Sequence, residues 1–150
     1  MAKQKTKAIK SIEYHLRNYE TYKTAIRNLN KQLEYIMPDT TANYELADGS
    51  NGTFNITSKT EKYAIDRIES RKALELYEDI QRYQIILDSI DESLKVLDDT
   101  EQEFVRLRYF KGYPVSKVAQ ELDFSDKHIF NIRKGVFDKL VIALRGILQF

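Results

Sequence analysis

The strongest constraint on the fold is a row of apolar residues that repeats in alternating steps of three and four positions. The row runs without an exception through Ala73, Leu76, Ile80, Tyr83, Leu87, Ile90, Leu94 and Leu97. Such spacing places every member on one face of an α-helix, and a seam this regular is typical of a coiled coil. The pattern therefore predicts a long helix, which Ile65 and Ile68 extend upstream to about Thr60.

A second amphipathic helix is predicted at the start of the chain. Apolar residues from Ile9 to Ile36 recur mostly every three or four positions, so one face of a helix over residues 5–36 is apolar. Pro38 ends this helix, and the segment at about 38–58, rich in Thr, Asn, Asp and Gly, is predicted to be a loop. The two helices then form an antiparallel hairpin within residues 1–98, or their seams pair with a second copy of the chain. The sequence favours neither arrangement.

The distribution of charge says more about partners than the total does. The 150 residues carry a net charge of +1, which is the balance of +5 over residues 1–36, −7 over 37–99 and +3 over 100–150. The near-neutral total therefore excludes only an indiscriminate polycation and leaves a modestly basic C-terminal third. The absence of cysteine excludes disulfides and thiolate metal sites, and it fits a reducing cytosol.

The sequence offers no sign of catalysis. No nucleophile lies beside a histidine, no glycine-rich loop is suited to a phosphate, and neither His15 nor His128 has neighbours with metal-ligand spacing. We therefore predict no catalytic residue, no metal and no cofactor, and we do not expect an enzyme. Because no apolar run is long enough to span a bilayer, we expect no membrane partner and a cytoplasmic location.

A new helix is predicted after the acidic pair that ends the long seam. Thr100 and Glu103 have the spacing of a capping box, so this helix is expected to start at about Thr100. Gly112 is expected to end it, and Pro114 is expected in the first turn of the next helix.

Residues 115–134, VSKVAQELDFSDKHIFNIRK, carry the most specific pattern in the chain. Two short helices that cross steeply need a small fifth residue, here Ala119, and apolar residues in their shared core. The core positions hold Val118, Leu122, Phe124, Ile129 and Ile132. Ser125 is expected to cap the second helix, and Asp123 occupies a turn position that usually carries Gly, since Asp tolerates the left-handed conformation. We therefore predict an all-α chain whose helical hairpin is followed by a helix-turn-helix domain at residues 99–150.

Residues from Thr100 to Leu144 resemble region four of bacterial sigma factors, the module that reads a promoter element. The resemblance rests on the L-x-x-x-E-x-x-F/V-x-x-L-R-Y-F pattern that begins at Leu97, on the glycine turn and on the Ser-capped second helix. Lys117 departs from it, because the family usually has Glu there. With its helical N-terminal half and the T-x-K-x-A-like segment at 60–64, the chain resembles the ArpU/RinA-type regulators of phages and prophages. That resemblance implies an activator of late or lytic genes that works with RNA polymerase in a bacterial host cell.

Helical geometry predicts which side chains face double-stranded DNA. Because Ile129 and Ile132 point into the core, the opposite face of the second helix presents Ser125, Lys127, His128, Asn131 and Lys134. Lys127, His128 and Asn131 are expected to approach base edges. Phosphate contacts, which supply affinity rather than sequence choice, are expected from Lys134, Arg133, Lys111 and Lys117.

Two other functions fit the same features. A small terminase subunit of a phage also combines a helix-turn-helix with a coiled coil, although its DNA-binding domain usually comes first in the chain. A protein-only module would bind polymerase through the same fold and never contact DNA. A lone domain with about six basic contacts binds DNA weakly at physiological salt, so a homodimer or a polymerase contact is also expected.

Overall fold

The computed structural model describes residues 2–36 and 56–148, with side chains described over 2–36 and 67–148. None of these residues is in a strand, and the predicted all-α class is confirmed. The helices are α1 (Ala2–Arg17), α2 (Tyr19–Ile36), α3 (Ile56–Leu94), α4 (Asp99–Val105), α5 (Val115–Leu122) and α6 (Asp126–Ala143), and a π-helical turn (Arg106–Phe110) continues α4.

Asn18 separates α1 from α2, where the sequence predicts one helix over residues 5–36. Its side-chain amide donates to the Tyr14 carbonyl oxygen over 2.8 Å, and the Asn18 backbone N–H donates to the same oxygen over 3.1 Å. Asn side chains compete with helical hydrogen bonds, which favours a local break at this position. The break is limited to one residue, because the Tyr22 amide still donates to the Asn18 carbonyl at 2.9 Å.

The regular apolar seam is the least exposed face of α3, as the spacing predicts. Its residues are buried at Ala73, Ile80, Leu87 and Ile90 and half-buried at Leu76, Tyr83 and Leu94, and the last residue of the seam, Leu97, is buried just beyond the end of the helix. The helix starts at Ile56, so residues 56–58 of the predicted loop belong to it, whereas residues 38–55 lie outside the described part of the chain. A coiled-coil supercoil along this seam stays a prediction.

The chain forms two compact units. The first consists of residues 1–23 and 84–150, and the second of residues 24–83. In the first unit α1 packs against α6 and against the π-helical turn. The N-terminal helix therefore shares a core with the helix-turn-helix, which a division at residues 98 and 99 does not anticipate. That division remains a prediction about domains.

One core joins both ends of the chain in the first unit. Its largest fully buried side chains come from α1, from the last turns of α3 and from the segment between α4 and the residue that caps the C-terminus of α6: Ile12, Leu16, Ile90, Phe104, Val105, Val118, Ile129, Val136, Phe137, Leu140 and Leu144. The Tyr109 ring meets Phe104 and Phe137 edge-on, with ring centroids 6.0 and 5.9 Å apart. Edge-to-face contacts of this kind add to the stability that comes from apolar burial.

In the second unit, α2 and α3 line a common groove. The lining residues are Leu33, Glu34, Ser70, Ala73, Leu74 and Tyr77. Of these, Leu74 and Tyr77 are more than half exposed.

Candidate nucleic-acid interface

The helix that precedes the helix-turn-helix starts with a capping box, two residues earlier than the sequence predicts. Asp98 is the N-cap, and its carboxylate accepts a hydrogen bond from the Glu101 amide over 2.8 Å. The Glu101 carboxylate in turn accepts from the Asp98 amide over 3.0 Å. The predicted pair of Thr100 and Glu103 is wrong, because Glu103 instead pairs with Arg106, whose Nε donates to it over 2.8 Å.

A π-helical turn and a left-handed glycine lead the chain from α4 to α5. The Lys111 amide donates to the Arg106 carbonyl, five residues back, over 2.9 Å. Gly112 follows at φ +74°, a conformation that glycine adopts without steric cost, and it ends the helix as predicted. Pro114 is the N-cap of α5 at φ −65° and ψ 158°. It therefore lies one position before the first turn of the helix, in which the sequence predicts it.

The turn between α5 and α6 has the geometry that the sequence predicts. Asp123 is left-handed at φ 57° and ψ 45°, so Asp occupies the position that usually requires glycine. Ser125 caps α6, and its hydroxyl accepts a hydrogen bond from the His128 amide over 3.2 Å. This cap fixes where the helix begins and therefore which side chains face away from the core.

The shared core of α5 and α6 contains most of the predicted residues. Val118, Ala119 and Ile129 are buried, and Leu122 and Ile132 are half-buried. The prediction is wrong for Phe124, which is 38% exposed. Its ring packs edge-on against His128, with centroids 4.5 Å apart, so it lies beside the N-terminus of α6 rather than between the helices.

The predicted DNA-facing side chains at the start of α6 share one exposed surface. We call this the reading face, and it consists of Ser125, Lys127, His128, Asn131 and Lys134, all of which are exposed. The edge contact with Phe124 orients the His128 ring on this face. Phe130 is 57% exposed beside it.

Lys111 and Lys117 lie together around one aromatic ring. The Lys117 ammonium is 3.8 Å from the centroid of the Tyr113 ring, and the Lys111 ammonium is 5.7 Å from the same centroid. Both lysines remain exposed, and the ring holds their charges near the loop before α5. This pair is therefore placed as two neighbouring charges that can contact a phosphate.

Arg133 differs from the other predicted site residues because it is paired within the chain. Its guanidinium donates to Glu13 of α1 over 2.8 Å, and the Tyr109 hydroxyl donates to the same carboxylate oxygen over 2.8 Å. Burial raises the pKa of Glu13, but the hydrogen bonds from Arg133 and Tyr109 outweigh it and hold that pKa below its usual value. The three residues join α1, the π-helical turn and α6.

The geometry of α4 to α6 agrees with a comparison against known families. Residues 93–140 match the family model for Sigma-70, region 4. Domains of the Sigma-70, region 4 family are DNA-binding helix-turn-helix domains rather than catalytic ones. The match covers less than half of the chain. Comparison of the chain with curated proteins and with solved structures gives no match.

In the part of the chain that the structure describes, no helix is long and apolar enough to cross a membrane. Likewise, no group of three or more His, Cys, Asp or Glu residues within that part has the arrangement of a metal site.

Sequence reasoning missed Glu13 and Tyr109 as neighbours of the interface. Glu13 is the only acidic residue of α1, and Tyr109 belongs to the region 4 core pattern. Neither fact indicates that the two side chains meet, because helical spacing identifies a buried face and not the element that covers it.

Proposed function

We propose that the chain is a sequence-specific DNA-binding regulator of transcription. Support comes above all from the reading face of α6, which begins at a capped N-terminus inside a region 4 domain. A recognition helix enters the major groove with its N-terminal residues at the base edges. Lys127, His128 and Asn131 occupy that part of α6 with exposed side chains.

The chemistry of these three side chains suits base recognition. A Lys ammonium donates to the O6 and N7 acceptors of guanine, and an Asn amide pairs with the N6 and N7 positions of adenine. Lys134, Lys111 and Lys117 are free to contact phosphates on either side of the groove. Arg133 would contact a phosphate only after it leaves Glu13, because that carboxylate holds its guanidinium.

A binding experiment tests this function. The full chain is used to select duplexes from a random library, and its affinity for the best duplex is compared with that for a scrambled duplex by fluorescence anisotropy. The double variant Lys127→Ala/Asn131→Ala should lose the preference, because each good base contact contributes about 1–3 kcal/mol of discrimination. The matched control Lys31→Ala/Asn28→Ala removes the same residue types from exposed positions of α2 and should keep it. A wild-type chain without preference, or a double variant that retains it, would overturn the proposal.

The more specific role is activation of phage or prophage late or lytic genes with bacterial RNA polymerase, in the cytoplasm of the host. The region 4 domain supports the polymerase contact in this role, since such domains are suited to polymerase as well as to DNA, whereas the phage or prophage setting rests on the resemblance of the sequence to the ArpU/RinA-type regulators. The test is transcription in vitro from a promoter that carries the selected duplex upstream. Activation predicts more transcript. Less transcript would identify a repressor, and polymerase binding without any DNA preference would favour the protein-only module.

We also propose that the protein acts as a homodimer. A single helix-turn-helix makes few phosphate contacts and therefore binds DNA weakly at physiological salt, whereas a second subunit would double the number of contacts. Sedimentation of the full chain checks this state. A dimer agrees with a regulator, whereas a larger closed ring would favour a small terminase subunit.

A further inference from the structure

The outer face of α1 carries a row of basic side chains. Lys3, Lys7, Lys10 and Arg17 follow helical spacing, with Tyr14 completing the steps of four and three, and all five residues are exposed. We call the four basic residues the α1 stripe. At about 1.5 Å per residue, the stripe is about 21 Å long.

Three of the four basic residues of the α1 stripe have no acidic partner on their own helix, and the fourth, Arg17, lies one turn after Glu13, whose pKa its charge helps to lower. Glu13, the only acid of α1, turns towards α6, and its side chain is 17% exposed. Elsewhere basic residues pair with an acid three positions earlier, as Lys23 does with Glu20 and Arg82 with Asp79. Lys3, Lys7 and Lys10 make no ion pair with the residues that the structure describes. Their charges are therefore available to a ligand.

The α1 stripe belongs to the helix that flanks the recognition helix. Lys5 contacts Asp138 over 2.7 Å and Glu13 contacts Arg133 over 2.8 Å, so α1 runs antiparallel to α6. Asp138 lies one turn beyond Lys134, on the same side of α6 as the reading face. Because Lys5 pairs with Asp138, the acid one turn beyond Lys134 is compensated by a charge of α1.

We propose that the α1 stripe is a second phosphate-binding surface, which contacts the DNA backbone beside the bases that α6 reads. This proposal rests on the proposed function, because it assigns further contacts to the same bound duplex. Successive phosphates of one strand are about 3.4 Å apart along the duplex axis, so the stripe matches the length of about six nucleotides. The stripe thereby supplies the affinity that a lone helix-turn-helix lacks.

Duplex DNA fits the α1 stripe better than an anionic membrane does. A basic amphipathic helix binds a bilayer by inserting its apolar face below the headgroups. In α1 that face consists of Ala8, Ile12 and Leu16, which are all buried in the core of the first unit. The stripe can therefore offer charge only, which is what a phosphate backbone requires.

The triple variant Lys3→Gln/Lys7→Gln/Lys10→Gln tests the proposal in the full chain. Arg17 is left in place because its guanidinium lies 5.7 Å from the Tyr109 ring. Affinity for the selected duplex is measured from about 50 to 200 mM salt. Each lost phosphate contact reduces the magnitude of the negative slope of log K against log salt by about 0.9. We expect the magnitude of the slope to fall by about 2–3 and the affinity to be at least tenfold lower. The preference over a scrambled duplex should be unchanged, since phosphate contacts carry no sequence information.

Two further variants separate position from net charge. Lys31→Gln/Arg71→Gln/Lys72→Gln removes the same charge from exposed residues of α2 and α3 and should leave the salt slope unchanged. Replacement of the three stripe lysines by Arg keeps the charge and should also keep the slope. If the stripe variant has the wild-type slope while the wild-type chain prefers its selected duplex, the stripe proposal fails and the proposed function stands. If the wild-type chain shows no preference but the stripe variant alone has a shallower salt dependence, the proposed function fails, and the stripe is a non-specific phosphate-binding surface rather than one beside bases that α6 reads.

Discussion

At the scale of single residues, Glu13 is the side chain on which the position of Arg133 depends. Its carboxylate accepts from both Arg133 and Tyr109 and is mostly shielded from water. Glu13→Gln keeps an acceptor but removes the charge, so we expect the free energy of unfolding to fall by about 1–2 kcal/mol, as measured by urea denaturation. Glu34→Gln, an exposed glutamate of α2, should change it by less than about 0.5 kcal/mol. Equal effects of the two variants would contradict this role.

The same residue gives the protein a defined dependence on acid. The pKa of Glu13 in the folded chain lies below its usual value of 4.5, so its ion pair stabilises the fold fully above that pH. This stabilisation is lost as the pH falls from 4.5 through the lower folded-state pKa, because in that range the unfolded chain binds the proton more readily than the folded chain does. The wild-type chain should therefore lose more stability in this range than Glu13→Gln does. Parallel curves of unfolding free energy against pH would contradict the assignment.

At the scale of the element, the start of α4 shows how far a local pattern can be interpreted. Asp98 with Glu101 and Thr100 with Glu103 both have capping-box spacing, so the sequence alone does not separate them. The structure selects the first pair because Arg106 draws the Glu103 carboxylate away from the helix start. The glycine stop, the left-handed Asp123 and the Ser125 cap were predictable, since each depends on residues within one turn.

The cap makes a quantitative prediction for this element. Asp98→Ala should lower the free energy of unfolding by about 1 kcal/mol, because it leaves an amide of α4 without its acceptor. Thr100→Ala removes the hydroxyl that the sequence pattern favoured and should cost less than about 0.5 kcal/mol, since Thr100 is exposed. Urea denaturation of both variants measures the difference. The reverse order would show that the helix begins at Thr100.

At the scale of the whole molecule, the sequence predicted the buried faces of the helices better than the partners of those faces. Spacing alone identified the apolar side of α1 and the core of the helix-turn-helix. It left open whether the first helix pairs with the long helix or with a second copy of the chain, whereas α1 packs on α6 in the first compact unit. Contacts such as Glu13 with Arg133 join residues far apart in the chain, and no local pattern encodes them. For the same reason Phe124 fits the core pattern and nevertheless lies exposed beside His128.

The packing of α1 predicts that the two ends of the chain unfold together. Ile12→Ala should lower the free energy of unfolding by about 2–4 kcal/mol, because Ile12 is fully buried in the core shared with α6. Ile142→Ala makes the same chemical change at a residue of α6 that is 78% exposed, and it should cost less than about 0.5 kcal/mol. Urea denaturation followed by near-ultraviolet circular dichroism, which reports on aromatic residues such as Tyr109 and Phe137 in the region 4 domain, measures both effects. If Ile12→Ala left that aromatic signal and its midpoint unchanged, α1 would not share the domain's core. If instead Ile12→Ala has the expected effect, the packing of α1 stabilises the domain. Because α1 also carries the stripe, the same packing would hold its four basic residues beside the bound DNA under our proposal.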